Sequence, residues 1–128
     1  MKISIITVSY NSENFIESCI NSIISQSYKD IEYIIIDGSS KDNTLKIIQR
    51  YSRYVSTIVS EPDKGIYDAM NKGIKIAKGE IIGFLHSDDM YKNEDVLSKV
   101  AKVFKNNASL DACYADLIYV KKTNVSRI

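Results

Sequence analysis

Short β-branched runs alternate with amphipathic stretches along this chain, and that alternation limits the fold more than any single motif does. Residues 2–8 (KISIITV) are long enough for a buried strand and too short for a helix. Ser12 then stands where it can cap a helix whose apolar positions, Phe15, Ile16, Cys19, Ile20, Ile23 and Ile24, recur every three to four residues. Further strands are predicted at 31–36, 55–59, 80–85 and 112–120. Helices are predicted at about 42–51, from about 65 to 77, and after Asn93, the last with a stripe of Val96, Leu97, Val100, Val103 and Phe104. Gly79 reads as the left-handed stop of the third helix. Strands separated by helices require crossover connections. The expected architecture is therefore α/β, a mainly parallel sheet with helices on both faces.

With 128 residues, a single domain is expected: residues 1–120 form it, and 121–128 are a polar tail read as a truncation end. Seventeen basic against sixteen acidic residues leave a net charge of +1, so no basic excess points to nucleic acid or an anionic membrane as the main partner. A phosphate site must then be local. Cys19 and Cys113 lie far apart without metal-ligand spacing and read as free buried thiols, which suits a reducing cytoplasm. The first residues show no signal-peptide pattern, and no run approaches the roughly 18 apolar residues of a membrane span. A cytoplasmic location is expected, with a peripheral place at the inner membrane face left open for the full-length protein.

In open parallel sheets, ligands sit beyond the carboxyl ends of the strands. Here those ends carry the chemistry: residues 7–11, then Asp37, Gly38, Ser39 and Ser40, then 61–65, then His86, Ser87, Asp88 and Asp89. The loops at the opposite edge are plainer. Adjacent ionised Asp88 and Asp89 repel, and a Mg²⁺ or Mn²⁺ ion supplies the counter-charge while leaving positions for substrate phosphates. The competing reading is a solvated acidic turn. Asp37 to Ser40 is either a strand-ending turn or a ligand-facing loop in which Gly38 allows close approach to the backbone. Tyr10 is placed to stack on a base, and Lys64 to meet a phosphate as a point charge. His86 is the only histidine, which argues against zinc. Neither a dinucleotide-binding glycine string nor a P-loop occurs.

Taken in order, Ile5-Ile6-Thr7-Val8-Ser9-Tyr10-Asn11, Ile34-Ile35-Ile36-Asp37-Gly38-Ser39-Ser40 and Gly79-Glu80-Ile81-Ile82-Gly83-Phe84-Leu85 leading to Ser87-Asp88-Asp89 resemble the signature of glycosyltransferase family 2. The segment from Asp63 to Gly73 is similar to a branch linked to bacterial surface polysaccharides. The resemblance implies a GT-A (Rossmann-like) fold and inverting, metal-assisted transfer from a nucleoside diphosphate sugar, with uridine as the favoured base. It implies that Thr7 and Tyr10 cradle the base, with Asn11 in the same loop and Glu13 near the nucleoside. Asp37 would bond the base, beside Gly38 and Ser39. Lys64, Asp68 and Asn71 would face the diphosphate or sugar. Asp88 would hold ribose or metal, and Asp89 the metal. Two departures stand out. His86 occupies a position where the family often has Asp, and the family's catalytic base and acceptor-binding region are expected beyond Ile128. The chain thus reads as the donor-binding, truncated half of such an enzyme, its saccharide acceptor site lying elsewhere. A homodimer through an uncovered sheet surface is a further open reading. The alternative is a non-catalytic, receiver-like nucleotide- or metal-binding module. A receiver wants an acidic pair after strand one, and Thr7, Val8 and Ser9 supply none.

Overall fold

The computed structural model describes residues 1–113. Strands β1 (Ile3–Ser9), β2 (Ile31–Asp37), β3 (Thr57–Ser60) and β4 (Ile81–Phe84) alternate with helices α1 (Ile16–Ile24), α2 (Thr44–Arg50), α3 (Ile66–Ile76) and α4 (Val96–Asn106). A single 3-10 turn, Ser52–Tyr54, follows α2. The four strands form one sheet in the order β3-β2-β1-β4, every pair parallel. The chain steps outward from β1 to β3, then returns through α3 to the far side of β1. In open parallel sheets, a reversal of this kind is where ligands bind, and here it falls at the carboxyl ends of β1 and β4.

The two-residue period of the strands sorts the core. Ile3 and Ile5 of β1 and Tyr33 and Ile35 of β2 face α1, α2 and α4, packing with Ile16, Cys19, Ile20, Ile23, Ile48, Leu97 and Ala101. Ile6, Ile34 and Ile36 point the other way, onto Ala69 of α3. The expected helix-covered parallel sheet is what forms. β4 is less covered than its apolar sequence implies, because Ile82 and Phe84, on the α3 side, stay exposed.

Several local expectations are corrected. Ser12 does not cap α1 through its side chain. Its carbonyl accepts from the Ile16 N–H (2.9 Å), and its hydroxyl turns to the acidic turn instead. Phe15, read as a core position, is 38% exposed. Gly79 is not left-handed, since Gly65 is the one glycine with positive φ among the described residues. A Cβ on Gly79 would lie 2.5 Å from Ser4 Oγ and 2.7 Å from the Ser4 nitrogen, so glycine is needed there for close backbone passage. Cys113 is exposed rather than buried. Of the fifth strand expected at 112–120, residues 112 and 113 are not in a strand and 114–120 lie outside the described residues, as does the tail.

Candidate functional site at the carboxyl edge of the sheet

Pairing between β1 and its neighbours continues past the strand ends. The Gly38 N–H donates to the Ser9 carbonyl, the Leu85 N–H to Ile6, and the Ser87 N–H to Val8. The β2 and β4 exits are thus registered against β1, making three loops with the exit of β1 itself. A hydroxyl pair then joins the first to the last, with Ser12 Oγ and Ser87 Oγ 2.7 Å apart and both side chains buried. The Ser12 N–H donates to Thr44 Oγ1 (2.7 Å), which ties the same loop to the start of α2.

Asp88 and Asp89 emerge from this anchored base as exposed residues. Burial of the Asp89 carboxyl, and then the neighbouring Asp88 charge, raise its pKa above the usual value, while His86 pulls it down. A group that resists ionisation next to a second carboxylate is what a cation would relieve. No cluster of three or more His, Cys, Asp or Glu side chains suited to a metal occurs among the described residues. Two carboxylates are nonetheless the protein share that Mg²⁺ commonly takes, the remainder coming from substrate phosphates and water. The residues present therefore fit a cation that arrives with a diphosphate. His86 is half-buried, and its Nδ1 has no hydrogen-bond partner.

Tyr10 is 59% exposed beside this turn, free to offer a ring face. Asn11 adopts φ 47° and Ser39 φ 61°, and the two loops lock together. The Asn11 N–H donates to Ser40 Oγ, and Asn11 Oδ1 accepts from the Lys41 N–H, each at 2.9 Å.

Thr7 and Asp37 are placed differently from expectation. Thr7 is fully buried, its hydroxyl 2.9 Å from Tyr33 Oη and 3.7 Å from Cys19 Sγ. The strand period puts it on the α1 side with Ile3 and Ile5, so it does not line the edge. Burial there also pushes the Cys19 thiol up to about 11. Asp37 is fully buried and its carboxylate is saturated. Oδ1 accepts from Ser9 Oγ (2.9 Å) and Ser40 Oγ (2.5 Å), and Oδ2 from the Ser40 N–H and Ser60 Oγ, both at 2.9 Å. Its geometry is that of a loop organiser, with no oxygen turned to a ligand. Glu13 is drawn toward α2, where its Oε2 accepts from the Asn43 N–H (3.1 Å).

On the β3 side, Lys72 of α3 clasps the 61–68 loop. Its Nζ lies 3.0 Å from Glu61 Oε1, 3.1 Å from the Pro62 carbonyl and 3.8 Å from Asp68 Oδ2. Asp68 Oδ2 also accepts from the Lys64 N–H (2.9 Å), so Asp68 shapes the loop that carries Lys64. The Lys64 side chain and Asn71 remain exposed. Asp63, not singled out in the sequence, reaches across to Gly38. A Cβ on Gly38 would stand 2.7 Å from Asp63 Oδ2. Only the DGS string hinted at this, by placing a residue with no side chain at a strand end.

Comparison with known proteins bears on the family and the fold. Residues 4–126 match the profile of Glycosyl transferase family 2. A PGL/p-HBAD biosynthesis glycosyltransferase of Mycobacterium bovis is 34% identical over 124 residues, covering 94% of this chain and 48% of the relative. An Escherichia coli UDP-Glc:alpha-D-GlcNAc-diphosphoundecaprenol beta-1,3-glucosyltransferase is 34% identical over 108 residues, 84% of this chain and 43% of the relative. Among solved structures, S. aureus TarS 1-349 in complex with UDP-GlcNAc superposes with a TM-score of 0.78 at 29% identity, over 84% of this chain and 32% of that one. This chain therefore spans half or less of the length of these relatives. The sheet order, the helices on both faces and the ordered strand-end motifs are those of a GT-A domain, and the chain belongs to glycosyltransferase family 2.

Proposed function

We propose that this chain binds a nucleoside diphosphate sugar at the carboxyl edge of its sheet and forms the donor-binding part of an inverting glycosyltransferase. The observation that carries the reading is the exposed Asp88–Asp89 pair, fixed through Ser87 and Ser12 beside the exposed ring of Tyr10. A base stacked on Tyr10 would lie between the β1 and β2 loops. The diphosphate would run toward Lys64 on one side and the acidic pair on the other. The E. coli relative is named for UDP-Glc and the TarS structure holds UDP-GlcNAc, which supports uridine as the base.

Asp89, with Asp88, would hold a Mn²⁺ or Mg²⁺ ion, and such an ion supplies Lewis-acid stabilisation of the charge on a departing diphosphate. The protein's own share is positioning. Asp37 fixes the β2 loop, Glu13 and Asn11 bind the β1 loop to it, and Asp68 with Lys72 holds the loop bearing Lys64. Exposed Asn71, one turn on from Asp68, is placed for the sugar or diphosphate. The catalytic base and the saccharide acceptor site belong, in this reading, to the part of the relatives' length that this chain does not cover. The mycobacterial and E. coli relatives support an acceptor within cell-surface glycan or polysaccharide synthesis. No helix among the described residues is long and apolar enough to cross a membrane.

Calorimetric titration with UDP in the presence and absence of Mn²⁺ tests the reading. Binding strengthened by Mn²⁺ in the wild type, with that strengthening lost in Asp89→Ala, is expected. Absence of heat with every nucleoside diphosphate, with or without metal, would refute it.

A further inference from the structure

We infer that Asp63, and not Asp37, reads the nucleobase, and that it selects a base carrying an imino N–H. This inference rests on the donor-binding reading above and specifies its base pocket. An ionised carboxylate has about four lone-pair sites. Asp37 spends its capacity on four donors from Ser9, Ser40 and Ser60, and it is 0% exposed. It has nothing left for a ligand. The next residue along the β2 exit is Gly38, its N–H bonded to the Ser9 carbonyl, and it contributes no side chain. The space above Gly38 is taken by a carboxylate from another loop, since Asp63 Oδ2 stands 2.7 Å from where a Cβ would be.

Asp63 is held for this task. Its Oδ1 accepts from the Gly65 N–H (3.0 Å), and its loop is clasped from α3 by Lys72. Oδ2 accepts no hydrogen bond from the described residues and lies at the same strand-end edge as Tyr10. A single free anionic acceptor distinguishes bases sharply. Uracil presents one N3–H, which matches one oxygen. Cytosine and adenine present no ring N–H on this edge, only an exocyclic NH₂ beside a ring lone pair, at N3 or N1, that a carboxylate repels. Guanine offers two adjacent N–H donors and wants both carboxylate oxygens, one of which Gly65 already occupies. The geometry thus favours uracil.

The same hydrogen bond fixes what a conservative change must do. In Asp63→Asn the amide oxygen has to accept from the Gly65 N–H, which turns the NH₂ group toward the base. That group suits N3 of cytosine and opposes N3–H of uracil. The test is titration of wild type, Asp63→Asn and the transposed double variant Gly38→Asp/Asp63→Ala with UDP, CDP and GDP in Mn²⁺, with thermal melts on the same samples. The wild type should prefer UDP over CDP. Asp63→Asn should weaken UDP by about 10- to 100-fold, the scale of one charged hydrogen bond, and should move the preference toward CDP. The double variant, which puts a carboxylate back over the same spot from residue 38, should restore a preference for UDP. Asp63→Asn binding UDP with an unchanged UDP-to-CDP ratio overturns the inference and leaves the donor site standing. Wild-type preference for GDP overturns the uracil choice. Failure of the wild type to bind any of the three overturns the donor-binding reading itself.

Discussion

Replacing Asp37 separates a scaffold carboxylate from a ligand-binding one. Asp37→Ala removes the acceptor for four hydrogen bonds. Their donors do not suffer equally. Ser60 is exposed and Ser40 half-buried, so their groups can turn partly to water, whereas Ser9 is 1% exposed and its hydroxyl would be orphaned. An orphaned buried donor costs about 1–3 kcal/mol and each lost bond to a charge somewhat less once water substitutes, giving about 3–5 kcal/mol in all. That is a large fraction of the roughly 5–15 kcal/mol holding a domain together. Asp37→Asn should behave differently. Its amide oxygen can take the Oδ2 position and keep the Ser40 N–H and Ser60 Oγ. Its NH₂ then faces Ser9 and Ser40 hydroxyls, which can reverse and accept. Only the charge reinforcement is lost, about 1–2 kcal/mol. Urea denaturation followed by circular dichroism measures both, and nucleotide titration of Asp37→Asn should show an unchanged preference between UDP and CDP. Equal losses for Ala and Asn, a loss under about 1 kcal/mol for Ala, or an altered base preference in Asn would refute the scaffold argument.

Asp89 has a raised pKa, caused by burial and then by Asp88. As pH falls, the carboxyl therefore protonates above the usual aspartate range and metal affinity should fall there, followed by Mn²⁺ titration at stepped pH. The metal-free fold should respond oppositely, gaining from this group on acidification through the same window, because a raised carboxyl pKa stabilises the protonated folded form. Thiol labelling at neutral pH should modify exposed Cys113 rapidly and leave Cys19, buried with its pKa near 11, until unfolding; equal rates would contradict the placement of Cys19. Gly79→Ala should destabilise by about 1–3 kcal/mol through overpacking against the Ser4 and Lys2 backbone, and a neutral effect in denaturation would show that the approach relaxes freely.

The sheet, its parallel sense and the gathering of acids, hydroxyls and Tyr10 at one edge of it were legible because hydrophobic period and loop composition are local properties. Asp88, Asp89 and Tyr10 were read as edge residues for the same reason. Thr7 was assigned to the pocket although its parity with Ile3 and Ile5 pointed to the α1 face. The hydrogen-bond webs could not be read in advance. Ser12 meets Ser87 across 75 residues, and Asp37 gathers hydroxyls from three separate segments. Serine reads as turn or cap material in sequence, and only the folded register shows which hydroxyl points at which acid. Asp63 escaped for a related reason: its importance comes from the side chain that Gly38 lacks, on a different strand exit.

The claim that the ligand sits at the carboxyl edge is tested most directly by amide NMR titration of the wild type with UDP and Mg²⁺. The largest shifts are expected at Tyr10, Gly38, Lys64 and Asp89, with Ser27, Tyr54 and Lys78 at the opposite edge unmoved. Shifts concentrated at Ser27, Tyr54 and Lys78, or none at the Asp88–Asp89 turn, would contradict it.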